Sequence, residues 1–269
     1  MKSRARKVAP RWVVKLGTGI LTLANGQIDL AQIEQLANQV SALRRRGHEV
    51  IVVSSGAVGC GMAILRLKKR PKAMEELQAC AALGQPRLMR LYDEAFGRHR
   101  MSVAQVLVTY LDIDSRELYA NIQRTVERLL RTPNIVPIFN ENDVVSYEEL
   151  VGARFGDNDR LSAEIARLAR ASHLIILSNI RGLAKNPDGS GTVLSDVHGV
   201  TPQIEKLAGG TRSQTSVGGM VSKLKAARLV NAAGIPMQIA DGRRPDVLLR
   251  IAAGDAVGTM FHAPDRGKS

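Results

Sequence analysis

The stretch EVIVVSSGAVGCG, Glu49 to Gly61, constrains the fold more than any other. An unbroken β-branched run has no polar face to show to water. A strand made from it must be covered on both sides, as in a parallel sheet flanked by helices. The same kind of run recurs as WVVKL (Trp12 to Leu16), VAQVLVT (Val103 to Thr109), NIVPIFN (Asn134 to Asn140), HLIILS (His173 to Ser178) and IPMQIA (Ile235 to Ala240). Helical periodicity fills the intervals. Asp29 caps a helix whose apolar positions Ile33, Leu36, Ala37, Val40 and Leu43 follow the 3.6-residue period until Gly47 stops it. Further helices are expected around Glu75–Arg98, Glu117–Arg131, Arg160–Ala171 and Lys223–Ala233, the last closed by Gly234 with Pro236 beyond. This alternation predicts an α/β fold with a mostly parallel sheet. With no linker, repeat or low-complexity stretch, one domain over 9–263 is expected, between a basic tail (1–8) and a C-terminal tail (264–269).

In open parallel sheets, ligands sit beyond the carboxyl ends of the strands. The polar and glycine-rich turns fall at those ends: KLGTG after the first run, SSGAVGCG after the second, NENDVV after NIVPIF, SNIRG after LIIL. Lys15 closes the first strand, with Gly17 and Gly19 letting backbone approach an anion; the same turn also reads as a lysine in water. Ser54, Ser55, Gly56 and Gly59 offer a hydroxyl and backbone N–H groups to a carboxylate or phosphate, or form an ordinary turn. There is neither a GxxxxGK[ST] loop nor a Rossmann glycine pattern.

NENDVV and FGDNDRLSA, separated by a short polar insertion with the look of a hairpin lid, supply Asp143, Asp157, Asp159, Asn140, Asn142 and Asn158. Capping a helix at Arg160 would occupy Asp159 alone. The surplus suits a small ligand carrying an ammonium, and can also hold lysines in place. In SVGGMVSKLKAA, Lys223 lies near a helix start, where the dipole disfavours a cation. A bound phosphate would resolve that conflict.

Composition narrows the classes. The chain has 269 residues, 45% of them hydrophobic, enough for a full core. No apolar run is long enough to span a bilayer, and MKSRARKVAPRW leads into no signal sequence. Cys60 and Cys80, unpaired in spacing, read as buried thiols of a cytoplasmic protein. The scattered histidines His48, His99, His173, His198 and His262 form no metal motif. A net charge of +13 permits nucleic-acid binding, but 3% aromatics leave few stacking platforms. The run RLKKRPK, Arg66 to Lys72, reads as a solvated loop, and Arg44 to Arg46 as a helix end.

VVKLGTG, VSSGAVGCG, AALGQ, QVLVT, IVPIFNENDVV, FGDNDRLSA, GGMVSKLKAA and GTMF, in this order from about Val13 to Phe261, resemble the amino-acid kinase superfamily. Within it they are similar to the glutamate 5-kinases, whose mark is NEND paired with FGDNDxLSA. The resemblance implies an αβα sandwich and ATP-dependent phosphorylation of the glutamate side-chain carboxylate, the first step of proline biosynthesis. It implies that Lys15 and Lys223 flank the transferred phosphoryl group and Asp159 orients them. Ser55, Gly56, Asp143 and Asn158 would bind glutamate, Asn158 through a carboxylate. The nucleotide would meet Lys15, Ser178, Asn179, Val217, Gly218, Gly219, Met220, Val221, Ser222 and Lys223. Mg²⁺ would be held mainly by phosphate oxygens, with no protein ligand assigned. Homo-oligomers and feedback inhibition by proline are further implications.

Ser178-Asn179 stands where the family usually has Thr-Asp, Ala184 where it has Tyr, and Val217 where it has Thr. Altered nucleotide use is therefore expected. Two alternatives stay open: a relative acting on another small carboxylate or phosphate compound, and a non-catalytic ligand sensor. The family's usual C-terminal module is not expected after GTMFHA, and a kinase domain alone is the expectation.

Overall fold

The computed structural model describes residues 9–23, 27–146, 158–208 and 219–264. Both tails except Pro264, the expected hairpin lid, Asp157, Val217 and Gly218 lie outside these described residues.

The chain begins with β1 (Arg11–Leu16), α1 (Thr18–Leu21), α2 (Leu30–Arg45) and β2 (Glu49–Val53). It continues through α3 (Ala57–Ile64), α4 (Met74–Gly97), β3 (Ser102–Val108), α5 (Tyr110–Asp114), α6 (Arg116–Arg131) and β4 (Ile135–Glu141). Next come α7 (Asn158–Leu168), β5 (His173–Ser178), β6 (Asp196–His198), α8 (Pro202–Ala208) and α9 (Met220–Ala232). It closes with β7 (Met237–Asp241), α10 (Val247–Ala252) and β8 (Thr259–His262).

The strands form one 8-stranded sheet in the order β3-β4-β2-β1-β5-β7-β8-β6. Every pairing is parallel except β7 with β8. Side chains alternate across this sheet and build two cores. Val13, Ile51, Phe139 and Ile176 face one layer with Leu161 and Ile165 of α7 and Leu224 and Val230 of α9. Val14, Val52, Ile138 and Ile175 face the other, with Ile33, Leu36 and Val40 of α2 and Leu88 and Phe96 of α4. That is the expected αβα sandwich, and the continuous apolar runs are its two-sided strands.

Asp29 caps α2 by accepting a hydrogen bond from the Gln32 backbone. Helix α7 starts at Asn158, not at Arg160, so Asp159 sits inside its first turn rather than capping it. The helices α3 and α4 meet backbone to backbone. A Cβ on Gly84 would lie 1.8 Å from the Ala57 carbonyl oxygen, and one on Gly61 would lie 1.8 Å from that of Cys80. This contact docks α3 on the long α4 and fixes where its N-terminus points. Burial pushes the Cys60 thiol up to about 11, in keeping with a packing role.

Candidate active site

The carboxyl ends of β1, β2, β4 and β5 share one edge of the sheet, where a cleft of about 540 Å³ opens. Lys15 comes from the end of β1, Asp159 from the first turn of α7 and Lys223 from the first turn of α9. The structure brings these three together. Lys15 Nζ donates to Asp159 Oδ1 at 2.6 Å, and Lys223 Nζ donates to Asp159 Oδ2 at 3.0 Å. All three are buried, Asp159 at 1% exposure, yet both lysines line the cleft. Burial alone would raise the Asp159 carboxyl. The charges of Lys15 and Lys223, with hydrogen bonds from Lys15 and Ser222, outweigh it and hold the group at about 2. Two ammonium groups on one carboxylate leave one net positive charge facing the cavity.

On one side of the lysines lie Ser55, Gly56, Asp143 and Asn158, all lining the cleft. Gly56 has φ 104°, a left-handed conformation that lets β2 turn directly into α3. Asn158 spends its amide hydrogens within the protein. Its Nδ2 lies 2.5 Å from the Ser54 carbonyl oxygen, 3.0 Å from Ser55 Oγ and 3.0 Å from Asn140 Oδ1. As placed, Asn158 therefore has no donor to offer a carboxylate, which departs from the role the resemblance implied. Its Oδ1 is buried, with no hydrogen-bond partner among the described residues. Ser55 Oγ accepts from Asn158 and keeps its own proton to donate.

On the other side, Ser178, Asn179, Gly219 and Met220 line the cleft with Lys223. Ser178 Oγ reaches Asn179 Oδ1 at 3.4 Å. Val221 is 49% exposed and does not line the cleft. Ser222 turns the other way, its hydroxyl 2.7 Å from Asp159 Oδ2 and 3.0 Å from the Gly219 carbonyl. It supports the shared carboxylate rather than reaching for a nucleotide. Sequence reasoning missed that role, although a hydroxyl one residue before Lys223 was the available signal. It also missed Arg70 and Arg181, which line the cleft. Arg70 belongs to the run read as a solvated loop, and only the tertiary fold brings that loop over the cavity.

The donor set speaks to a divalent ion. Both Asp159 oxygens are taken by cations and by Ser222, and Asp143 is the remaining carboxylate lining the cleft among the described residues. Among those residues no three His, Cys, Asp or Glu side chains gather as a metal site. No described helix is long and apolar enough to cross a membrane.

Residues 10–241 match the amino acid kinase family. The chain belongs to that family. Among curated members, the glutamate 5-kinase of Clostridium perfringens is 43% identical over 266 residues, covering 97% of this chain and 98% of that protein. The glutamate 5-kinase of Dehalococcoides mccartyi is 43% identical over 264 residues, covering 95% of this chain and 70% of its own length. Among solved amino acid kinase-like structures, the carbamate kinase from Giardia lamblia bound to AMP-PNP superposes with a TM-score of 0.62. At 16% identity, over 95% of this chain and 99% of the other, that likeness speaks to the fold alone.

Proposed function

We propose that this chain is an ATP-dependent glutamate 5-kinase, converting L-glutamate to L-glutamyl 5-phosphate at the head of proline biosynthesis. The observation that carries the reading is the shared carboxylate of Asp159, which sets Lys15 and Lys223 side by side on the cleft wall. The curated members described above bear that name over nearly the whole of this chain.

The chemistry follows from charge. A glutamate side chain has an ordinary pKa of about 4.3, so at neutral pH the nucleophile is already a carboxylate and needs no base. Its oxygen forms a bond to the γ-phosphorus while the bond from that phosphorus to the β–γ bridging oxygen breaks. The electron pair leaves with ADP. Little covalent work falls to the protein, and positioning and charge stabilisation supply the rate. Bringing a carboxylate against a triphosphate sets anion against anion. Lys15 and Lys223 offset that repulsion, and Asp159 keeps both from turning away. The nucleotide is assigned to the side of Ser178, Asn179, Gly219 and Met220, and glutamate to the side of Ser55, Gly56, Asp143 and Asn158. Mg²⁺ would enter with the nucleotide, held by phosphate oxygens and water, where it adds further charge neutralisation.

The test is trapping of the acyl phosphate as a hydroxamate, with glutamate, aspartate and N-acetylglutamate as competing substrates. Glutamate is expected to dominate; preference for another acceptor would overturn the assignment. Lys15→Ala and Lys223→Ala should each lower kcat by about 10²–10³, the usual worth of one preorganised charge. Near-normal turnover in either folded variant would remove the lysine from the mechanism.

A further inference from the structure

Gln85 of α4 has no part in the reaction as described, yet it is buried and joined to the site. The link begins at a group of unambiguous polarity. The Ser54 backbone carbonyl only accepts, so the atom of Asn158 that sits 2.5 Å from it is the nitrogen. That nitrogen also meets Asn140 Oδ1 at 3.0 Å, which leaves Asn140 Nδ2 to donate to Gln85 Oε1 at 2.9 Å. Gln85 Nε2 in turn donates to Gln105 Oε1 at 2.8 Å. A primary amide has one donor end and one acceptor end, so each link dictates the orientation of the next. The relay runs from the cleft through β4 and α4 to Gln105, an exposed residue of the outer strand β3.

We propose that Gln85 and Asn140 are positioning residues. Their amide relay, together with the Ser54 carbonyl, holds Asn158 in place with its hydrogens turned into the protein, so that the Asn158–Asp143 side of the cleft is an acceptor-only seat for a substrate ammonium. The proposal rests on the glutamate reading and sharpens it. Asp143 and the Asn158 carbonyl take the α-ammonium, and the Ser55 proton is left for a substrate carboxylate. An acceptor lacking a free amine has nothing to offer that seat.

The relay makes a test by polarity possible. Gln85→Met keeps length and roughly the volume but leaves Asn140 Nδ2 unpaired, so Asn140 can turn its amide and set a donor against the Asn158 nitrogen, displacing Asn158 from its seat. Gln85→Glu still accepts from Asn140, and the exposed Gln105 can reverse its own amide to donate to it. In the hydroxamate assay, Gln85→Met is expected to raise KM for glutamate roughly tenfold, with KM for ATP unchanged, the scale of one buried polar group left unpaired. Gln85→Glu is expected to stay within roughly threefold of the parent. Equal KM rises in the two variants, or an equal rise for ATP, would overturn the relay and leave Gln85 a packing residue. If Gln85→Met fails to fold, Gln85→Leu serves, with the same expected rise of roughly tenfold in KM for glutamate and none for ATP; an unchanged KM for glutamate in the folded variant would overturn the proposal. An unmodified protein that leaves glutamate unphosphorylated would sink the functional reading instead, before any variant is compared.

Discussion

Asp159 is a buried charge that the fold tolerates because two lysines and a serine surround it. Its folded-state value of about 2 lies below the ordinary 3.8, so its ionisation stabilises the native state at any pH above about 4. That stability is lost as pH falls through 2, and the difference is worth about 2 kcal/mol. Asp159→Asn should remove this acid-limb dependence and also leave two buried ammonium groups without their anion. Urea titrations from pH 2 to 7 are expected to show a loss of about 3 kcal/mol at neutral pH, shrinking toward acid. A constant difference across that range would count against the assigned ion pairs. His173, at the far end of the sheet, adds a second loss of stability toward acid, here from a ring buried in its neutral form. Desolvation alone lowers it to about 4; it packs edge-on against Trp12 at 5.6 Å, with its Nε2 unpaired among the described residues. The unfolded chain takes up that proton near pH 6.5 and the folded one only near 4. Stability therefore falls across that window by about 3 kcal/mol in all. His173→Phe should flatten the slope between pH 4 and 6.5 in chemical denaturation; an unchanged slope would mean the ring is not what titrates.

At the scale of elements, the site depends on where α3 points, and α3 is held by its glycine contact with α4. Gly84→Ala puts a methyl group into the Ala57 carbonyl, with backbone on both sides and no flexible side chain to yield. Overpacking of this kind costs about 1–3 kcal/mol. Because Ser55 and Gly56 lead into α3, the same variant should raise KM for glutamate more than KM for ATP. Thermal unfolding and the two KM values together check it, and equal effects on both substrates would mean that the contact only supports the fold. The elements readable in the sequence were those with an apolar run or a helical stripe: β1 to β5 and β7 as apolar runs, and α2, α4, α6, α7 and α9 as periodic segments. The unread ones lack such a pattern. Helix α3, AVGCGMAI, holds two glycines and is made by docking; β6 has three residues; and β8, TMFH, was noticed only as part of a motif. In the site, Lys223 stood out by its place at a helix start, whereas Lys15 also read as a lysine in water and Asp159 as a helix cap, and their roles came from the family resemblance. Ser222, Gln85 and Arg70 were not legible, since their roles exist only through partners distant in sequence.

At the scale of the molecule, the excess of basic residues meets the cleft at particular points. Lys15, Arg70, Arg181 and Lys223 line it against one lining carboxylate, Asp143, among the described residues. Both substrates of the proposed reaction are anions at neutral pH, and a low-dielectric cleft of one sign focuses its field on such ligands. If that local field draws them in, kcat/KM for ATP should fall several-fold as salt rises from about 10 mM to about 150 mM, while the screening length contracts from about 30 Å to about 8 Å. The kcat at saturation should stay nearly flat, since Lys15, Asp159 and Lys223 are buried from salt. The net charge of +13 predicts a similar trend, so the two sources need separating. Arg70→Gln and Lys68→Gln each remove one positive charge from the same exposed loop, but only Arg70 lines the cavity. A steeper loss of salt dependence in Arg70→Gln assigns the steering to the cleft. Equal slopes would assign it to the overall charge, and the basic loop would then be the solvated face that its composition alone suggests.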